Sequence, residues 1–472
     1  MKPRLLLALL LATACASTPP PAKPKKTVLL TEYDDARVGR ESSEDVKAEL
    51  GVLDDPALSA YVDSLGRKLL RGIPRRGFDY QFFVIDMMEP NAFALPGGYI
   101  FLSRGLLALA NSEDELACVM GHEITHAARR HAAAQQALES RQPPFAMPWV
   151  RAGRLAQYSR EMEREADEGG QILCAAAGYD PMGMSTFLTS LANAARLEQG
   201  YSRVPGFFDS HPGSEERAAA DAVRAREIRW KRDPAVGDPR AALLGHTDGL
   251  EVGQRPEAGI FEGDVFIHPE LGFMLRFPPG WRLSNTNRAV GAEQPRGEAI
   301  VFLTADSAQA PTGSLGDAAQ AWIEKQQQSA RIEVTASKPV KVGAIDAWRI
   351  EADARGAGGT VEAQLTFIPF RDSLWRITGA APAIVAGRYQ GALLATARSF
   401  RPLTEEERRQ VTATRLRVAQ ARGGESIAEL SERTQNVWSI QETAVYNALF
   451  ADHRFRGGET VKIARREPWA PK

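Results

Sequence analysis

The sequence has no excess of charge of either sign and no long apolar run in its interior. Lysine and arginine number 58 against 59 aspartates and glutamates, so the formal net charge is -1. A chain without a basic excess has no general attraction for nucleic-acid phosphates or for an anionic membrane surface. We therefore expect no nucleic-acid partner. Apart from the first residues, no apolar stretch approaches the roughly 20 residues needed to cross a bilayer, and no internal transmembrane helix is predicted.

Cysteine is also scarce, with only Cys15, Cys118 and Cys174 among 472 residues. So few cysteines exclude a disulfide-rich framework and a thiolate metal site. Cys118 and Cys174 both lie in segments with helical patterns. An exported protein could pair them, and two buried free thiols fit the sequence at least as well.

The first 15 residues predict export from the cytosol. Lys2 and Arg4 precede an apolar stretch, Leu5 to Leu11, that is too short for a permanent span. Ala12 to Ala14 fits a signal-peptidase site, while Leu11 to Cys15 resembles a bacterial lipobox in which Cys15 is acylated. We favour the lipoprotein.

The segment that follows supports a lipid anchor. Ser17 to Lys26 contains four prolines and three lysines, which make an extended, semi-rigid tether. By resemblance to bacterial lipoproteins, Ala16 after the acylated cysteine implies sorting to the outer membrane, facing the periplasm. The predicted location is therefore the periplasm, with an anchor in the outer membrane.

A chain of 472 residues with 44% hydrophobic residues is long and apolar enough to form two to four compact domains. The patterns predict a multidomain α+β protein: a mainly helical domain with a small sheet, then an α+β domain of sheet and helices, then a small terminal unit. The predicted divisions are a signal peptide and lipobox (1–15), a tether (16–30), the helical domain (31–235), a connector (236–265), the α+β domain (266–403) and the terminal unit (410–472).

Local signals place several elements of the helical domain. Asp55 and Pro56 form a helix start, and Tyr80 to Ile85 and Tyr99 to Ser103 alternate as strands. Ser112 to Glu115 reads as a capping box that begins a long helix, predicted to run past Arg130.

That long helix contains His122-Glu123-Ile124-Thr125-His126. Residues four apart lie on one face of a helix, so the imidazoles of His122 and His126 can share one zinc ion. Glu123 then lies beside the metal, where its carboxylate can accept a proton from water and pass it to a leaving amine. In a continuous helix His131 falls nearly opposite His122, so it is predicted not to be a ligand.

A second helix, Tyr158 to Asp167, offers the third ligand that a catalytic zinc needs. Glu163 and Asp167 share a face, which lets Glu163 bind zinc while Asp167 accepts the outer N–H of a ligating histidine. Glu161 and Glu165 fall on other faces and are predicted to be solvated charges.

These two motifs resemble those of the gluzincin-type zinc metallopeptidases, the family that includes the CAAX prenyl protease, HtpX and the β-barrel assembly-enhancing protease. That family shares HExxH on one helix and a later ExxxD. The resemblance covers roughly residues 40 to 230 and extends through further segments: Asn91 to Gly98, Arg104 to Leu107, Gly178 to Pro181, and Asp209 to Pro212 with Arg217.

The resemblance implies a zincin-like fold with one Zn²⁺ per chain and roles for further residues. An exposed sheet edge that includes Asn91, Ala92, Phe93 and Ala94 would receive an extended substrate peptide as an added strand. His211 and Arg217 would reach the cleft from a later helix. Either they stabilise the oxyanion, or His211 takes the open zinc position and keeps the enzyme latent. A capping role for His211, before Pro212, is the remaining alternative.

The two later domains have weaker signals. The α+β domain is weakly similar to Mog1/PsbP-like domains and carries no catalytic constellation. The terminal unit resembles a LysM module, a β-α-α-β fold that binds peptidoglycan sugars, although its middle is longer and more charged. Peptidoglycan is therefore a candidate partner, against a purely structural tail.

The function predicted from these observations is that of a lipid-anchored periplasmic zinc endopeptidase. Its expected substrates are unfolded or misassembled envelope proteins. The alternative is a zinc-stabilised chaperone-like or cell-wall-binding scaffold with a latent peptidase site.

Overall fold

The computed structural model describes residues 31–73, 78–139, 160–197, 207, 211, 214–286, 289–307, 313–328, 330–356 and 359–470. The predicted signal peptide, the lipobox with Cys15 and the tether lie outside these residues. The chain divides into two compact units. The first unit contains the described residues up to Gly253 together with 413–467, and the second unit contains mainly residues 254–412.

The first unit is mainly helical. The predicted start of its second helix is confirmed, because Asp55 accepts a hydrogen bond from the Leu58 N–H and Pro56 is the first helical residue. Its helices are α1 (Glu32–Leu50), α2 (Pro56–Leu69), α3 (Arg104–Leu109), α4 (Glu113–Ala128), α5 (His131–Glu139), α6 (Arg160–Ala176), α7 (Gly183–Leu197), α8 (Ser214–Glu227) and α9 (Pro239–Thr247).

The predicted long helix is interrupted. Ser112 caps α4 as expected by accepting from the Glu115 N–H, but α4 ends at Ala128 instead of running past Arg130. Arg130 has φ +56°, a left-handed conformation that cannot continue a right-handed helix. Helix α5 then begins at His131.

The first unit also contains a small sheet, whose strands are β1 (Gln81–Ile85), β2 (Ala92–Leu95) and β3 (Tyr99–Ser103). Their order is β1-β3-β2, with β1 parallel and β2 antiparallel to β3, so β2 lies at the sheet edge as predicted. The prediction that this edge is exposed is wrong. Helices α1 and α4 pack against β2, and Asn91 and all four strand residues are buried.

The second unit is rich in strands. They are β4 (Ile260–Glu262), β5 (Val265–His268), β6 (Phe273–Arg276), β7 (Arg282–Asn285), β8 (Val290–Glu293), β9 (Ile300–Ser307), β10 (Arg331–Val342), β11 (Ile345–Gly356), β12 (Gly359–Phe370), β13 (Ser373–Pro382) and β14 (Arg401–Pro402). One sheet has the order β10-β11-β12-β13-β9-β8-β7, and another has the order β14-β6-β5-β4.

Helices α10 (Leu315–Gln327), α11 (Ala383–Ser399) and α12 (Glu405–Gln410) complete the second unit. Because side chains alternate along a strand, β12 serves two cores. Phe367 belongs to the cluster that contains Ile323 of α10, whereas Ile368 belongs to the cluster that contains Leu393 of α11. The predicted α+β pattern of this region is therefore confirmed. Strands β7, β8 and β10 were not predicted, and the residues of β10 are mostly exposed.

The terminal segment has the predicted β-α-α-β order: β15 (Thr412–Gln420), α13 (Ile427–Thr434), α14 (Ile440–Tyr446) and β16 (Thr460–Pro468), with β15 paired to β16. It packs against the helices of the first unit, since Leu416, Trp438 and Tyr446 join the core that contains α4. The ammonium group of buried Lys462 donates to the carbonyl oxygens of Ala108, Leu109 and Ala110 at 2.8, 3.0 and 2.8 Å. Among the described helices, none has the length and apolar character of a membrane span.

Candidate active site

Helices α4 and α6 pack closely against each other and carry the predicted ligands. A Cβ atom on Gly170 would lie 2.7 Å from the backbone nitrogen of His122, so only glycine permits this approach of the two helices. Cys118 and Cys174 form a disulfide between the same two helices, which decides between the pairing and the free thiols that the sequence left open. His122 is therefore one helical turn from a covalent link to α6.

Four side chains converge where these helices meet. The ligand atoms of His122, His126, Glu163 and His211 all lie within 4.8 Å of one another, and all four residues are buried. Nε2 of His122 lies 2.9 Å from Nε2 of His126 and 3.3 Å from Nδ1 of His211. The Glu163 carboxylate lies 3.0 Å from His211 Nδ1 and 3.6 Å from His126 Nε2.

The chemistry of this donor set fits a metal ion. Imidazole nitrogens and one carboxylate are the ligands that zinc takes in proteins. Within the described residues, neither Glu123 carboxylate oxygen has a hydrogen-bond partner, although both are fully buried. Such acceptors are costly to bury unless a donor reaches them, and a water molecule beside a bound cation would supply one. The cluster therefore fits a divalent cation with Glu123 next to it.

A further layer of charged residues holds the cluster. Nδ1 of His122 lies 2.9 Å from Asp167 Oδ1, so the predicted contact between Asp167 and a ligating histidine is present. Arg217 Nη1 lies 2.7 Å from Glu163 Oε2, and its Nη2 lies 2.7 Å from Asp167 Oδ1. The guanidinium of Arg217 is thus engaged with two carboxylates of α6, which favours a positioning role over stabilisation of an oxyanion.

The pKa values of the acidic groups reflect their different neighbours. Burial raises the pKa of the Glu123 carboxyl, although the charges of His211 and His122 act against this rise. Burial would also raise the pKa of Asp167, but the hydrogen bonds from His122 and Arg217 outweigh it and lower that pKa. Likewise, His211, His122 and Arg217 outweigh burial and lower the pKa of Glu163. Glu163 and Asp167 are therefore held as carboxylates, and Glu123 is the better proton acceptor.

The two histidines of α4 also differ. Burial acts to lower the pKa of His122, but the hydrogen bond and charge of Asp167 raise it overall. Burial and the charges of His122 and His211 hold the pKa of His126 well below its usual range. A neutral imidazole is the form that binds a metal.

His211 was predicted to lie on a later helix, but it lies just before α8, which begins at Ser214. Its ring stacks on the ring of Phe207 with centroids 4.3 Å apart, and its N–H donates to the Phe207 carbonyl at 2.8 Å. The Phe207 N–H donates in turn to the Pro90 carbonyl, which precedes β2. His211 Nε2 lies 3.6 Å from Glu123 Oε1. His211 therefore joins the cluster instead of capping a helix at a distance from it.

The helix face expected for His131 and the interpretation of Glu165 as a solvated charge need correction, whereas the prediction that His131 is not a ligand is unchanged. His131 is not in the metal-ligand cluster, but its Nδ1 lies 2.8 Å from Nδ1 of His126. Its Nε2 lies 3.2 Å from Glu165 Oε2, so Glu165 is not merely a solvated charge. The helical periodicity placed His131 on the wrong face because it assumed that α4 continues through Arg130.

Phe207 was not among the residues predicted for the site. The only available signal was its spacing of four residues from His211, which would place two rings on one helical face. By contrast, His246, His268 and His453 are not part of the cluster among the described residues.

The region that carries the cluster is similar to known proteins. The model of peptidase family M48 matches residues 56–152 and 145–225. The beta-barrel assembly-enhancing protease of Escherichia coli (strain K12) is 33% identical over 204 residues, which cover 38% of this chain and 41% of that protein. Mitochondrial metalloendopeptidase OMA1 of Schizosaccharomyces pombe is 29% identical over 217 residues, which cover 42% of this chain and 63% of that protein. The match thus spans about two fifths of the length of the bacterial relatives.

Some solved structures are also similar to parts of the chain. Cyanobacterial PsbP from Synechocystis sp. PCC 6803 matches with a TM-score of 0.25 at 11% identity, covering 30% of this chain and 95% of PsbP. The Saccharomyces cerevisiae Ran-binding protein Mog1p matches with a TM-score of 0.24 at 12% identity, covering 29% of this chain and 93% of Mog1p.

Proposed function

From the match of residues 56–225 to the model of peptidase family M48, we propose that the protein is a zinc-dependent endopeptidase of the bacterial envelope. The observation that carries the proposal is the buried cluster in which His122, His126 and Glu163 of two linked helices meet His211, with Glu123 beside it. In this proposal His122, His126 and Glu163 hold one Zn²⁺.

Zinc, when bound there, supplies a Lewis acid that lowers the pKa of water and polarises the substrate carbonyl. Glu123 accepts the proton of the attacking water, for which its raised pKa suits it. It then donates that proton to the nitrogen of the leaving amine. Asp167 and Arg217 keep His122 and Glu163 in place during both transfers.

We further propose that His211 keeps the enzyme latent. Its Nδ1 lies within 3.3 Å of both His122 Nε2 and Glu163 Oε2, close enough to take a ligand position that a catalytic zinc must keep for water. Glu123 is fully buried, so substrate has no access in this conformation. Activation would require His211 to move away from the cluster.

Unfolded or misassembled envelope proteins are the proposed substrates. An unfolded chain can add as an extended strand to a sheet edge, and β2, with the adjacent Asn91, is such an edge beside α4. Because Ala92 to Ala94 are buried, strand addition needs the elements that cover β2 to move as well. Bacterial relatives named beta-barrel assembly-enhancing proteases favour this substrate class.

The proposed location is the periplasmic face of the outer membrane, with Cys15 as the lipid-anchored residue. Mass spectrometry of the mature N-terminus tests this assignment. A diacylated Cys15 supports it, whereas an N-terminus without lipid at or beyond Cys15 contradicts it. We also propose peptidase and α+β domains at residues 31–235 and 266–403, the latter as a support module.

A second candidate is a scaffold in which zinc only stabilises the fold and the terminal unit, residues 410–472, binds peptidoglycan. It is favoured by Phe450, which is 84% exposed in a β-α-α-β unit, because exposed aromatic rings can stack on sugars. Sedimentation with purified peptidoglycan tests glycan binding, and Phe450→Ala should reduce any bound fraction.

Cleavage assays on casein and on unfolded outer-membrane protein separate the two candidates. Wild type, Glu123→Gln and His211→Ala are compared, each supplied with zinc. If the protein is an endopeptidase, His211→Ala cleaves at least as fast as wild type. The double variant Glu123→Gln with His211→Ala then cleaves at least about 100-fold more slowly than His211→Ala alone. Undetectable cleavage by every variant would support the scaffold.

A further inference from the structure

His126 has a partner on the side of its ring that faces away from the metal-ligand cluster. Nε2 of His126 points to the cluster, 2.9 Å from Nε2 of His122. Nδ1 of His126 lies 2.8 Å from Nδ1 of His131, and the two rings meet edge to face with centroids 4.9 Å apart. Both histidines are buried, with His126 1% and His131 3% exposed.

The break between α4 and α5 makes this contact possible. In a continuous helix a residue five positions after His126 would lie about 140° away around the axis. The left-handed conformation of Arg130 redirects the chain, so that His131 turns back toward His126. Arg130 is fixed in turn by an ion pair with Asp35 of α1, with Nη2 3.0 Å from Oδ1. Such a conformation is costly for a residue other than glycine and persists only where its surroundings hold it.

The distances define one consistent arrangement of protons. If His126 binds zinc through Nε2, its proton is on Nδ1, and this N–H donates to Nδ1 of His131. The proton of His131 is then on Nε2, which donates to Glu165 Oε2 at 3.2 Å. A histidine whose outer N–H is held in this way has a fixed tautomer and ring orientation.

The same arrangement exists on the other ligand of α4, where Nδ1 of His122 faces Asp167. The two imidazoles of α4 are therefore arranged alike, since each has one nitrogen at the cluster and the other within hydrogen-bond distance of an acceptor. The acceptor differs, because His122 has a carboxylate directly and His126 has one only through His131.

We propose that His131 is a positioning residue for the metal site, and that it fixes the tautomer and orientation of His126 with Glu165 as its anchor. This inference rests on the proposed zinc site, and it adds a residue pair that neither the HExxH nor the ExxxD motif contains. His131 does not touch the substrate or the metal. Its effect is on the affinity and geometry of the metal that His126 holds.

Zinc affinity of the purified chain, measured by competition with a chromogenic chelator, tests the proposal. His131→Phe keeps the ring but removes the acceptor, and we expect zinc binding to weaken about 10- to 100-fold. His131→Asn places an amide oxygen near the position of Nδ1, and we expect it to recover most of that loss.

Glu165→Gln should weaken zinc binding less, by about 2- to 10-fold, since the contact of Glu165 with His131 is half-exposed. His453→Phe is the matched control and should bind as wild type, because His453 lies outside the cluster of described ligands.

Two further measurements separate positioning from a merely structural role. The absorption spectrum of the cobalt-substituted protein reports ligand geometry, and we expect it to change in His131→Phe and to return toward wild type in His131→Asn. Thermal unfolding of the metal-free proteins should be similar for wild type and the variants. Weaker zinc binding by a metal-free variant that unfolds at the wild-type temperature supports the proposal.

The outcomes also distinguish this inference from the proposed function. If wild type binds zinc no better than His126→Ala, the zinc site itself is refuted. If wild type binds tightly while His131→Phe and Glu165→Gln bind equally well with unchanged cobalt spectra, only the role of His131 is overturned. Should His131→Phe fail to fold, Glu165→Gln and His131→Asn decide the question. The proposal is contradicted if Glu165→Gln binds zinc with wild-type affinity and if any loss of zinc affinity in His131→Asn is matched by an equal loss of unfolding free energy in the metal-free protein.

Discussion

Arg217 forms a bidentate ion pair with Asp167, in which Nε of Arg217 lies 2.8 Å from Oδ2 of Asp167 and Nη2 lies 2.7 Å from Oδ1. Both side chains are almost fully buried, with 7% and 1% of their surface exposed. Since Asp167 also contacts His122, this pair joins α8 to the ligand helices. Breaking it should therefore affect the metal site as well as the fold.

Arg217→Lys is expected to weaken zinc binding about 10-fold, because lysine keeps the positive charge but cannot make the planar double contact that orients Asp167. Chelator competition measures the affinity. Arg224→Lys on the same helix is the control, since Arg224 pairs with Asp221 rather than with the ligands. Equal zinc affinity in Arg217→Lys and wild type would contradict the role assigned to this pair.

The disulfide between Cys118 and Cys174 should contribute strongly to the stability of the first unit. The two residues are 56 positions apart, and a loop of that length corresponds to about 4 kcal/mol of chain entropy removed from the unfolded state. We expect Cys118→Ala with Cys174→Ala to lower the free energy of unfolding by about that amount, measured by denaturation in urea. A reducing agent should lower the stability of wild type but leave the double variant unchanged. A wild type insensitive to reduction would count against the disulfide.

Lys462 should be essential for the packing of the terminal segment on α3. Its ammonium donates to three backbone carbonyls, which lack other intrahelical donors at the end of that helix. Burial lowers the pKa of Lys462, with the charge of Arg240 acting in the same direction and that of Glu115 against it. Lys462→Met would remove this donor from the Ala108 and Ala110 carbonyls, while the Leu109 carbonyl still accepts from the Asn111 side chain at 3.0 Å. The expected cost is about 3 kcal/mol in urea denaturation.

The control for Lys462→Met is Lys341→Met, whose ammonium is on the surface with 69% of the side chain exposed. A surface substitution of this kind should change stability by at most about 0.5 kcal/mol. If the two variants are equally stable, the contact of Lys462 with α3 has little energetic importance.

His268 should make the second unit sensitive to acid. Burial lowers its pKa to about 4 in the folded state, and the Leu271 N–H donates to its Nδ1 at 3.3 Å, which requires an unprotonated nitrogen. In the unfolded chain the pKa is near 6.5. A lowered folded pKa means that the unfolded state binds the proton first, so stability is lost as the pH falls from about 6.5 to about 4.

His268→Asn keeps an acceptor for the Leu271 N–H but does not titrate. We expect its melting temperature to fall less than that of wild type between pH 7 and pH 4, with a difference of up to about 3 kcal/mol in unfolding free energy. Calorimetry over this pH range measures it, and His453→Asn should follow wild type. Parallel pH profiles for wild type and His268→Asn would contradict the prediction.

The sequence predicted most of the local structure and the chemistry of the site. Four-residue spacing, which one helical turn converts into a shared face, was enough to select His122 with His126 and Glu163 with Asp167. Period-2 alternation predicted some strands of the second unit, namely β6, β9, β11, β12 and β13, but not the others. These features depend on neighbours in the chain, so the sequence by itself determined them.

Only the tertiary structure decided the remaining relationships. The burial of β2 depends on packing by α1 and α4, and the partner of Lys462 is more than 350 positions away. The contact of His131 with His126 depends on a helix break at Arg130, which Asp35 stabilises from 95 positions away. Helical periodicity cannot anticipate a break whose cause is a distant ion pair. The sequence therefore determined which side chains could bind a metal, and long-range packing decided which neighbours hold them in place.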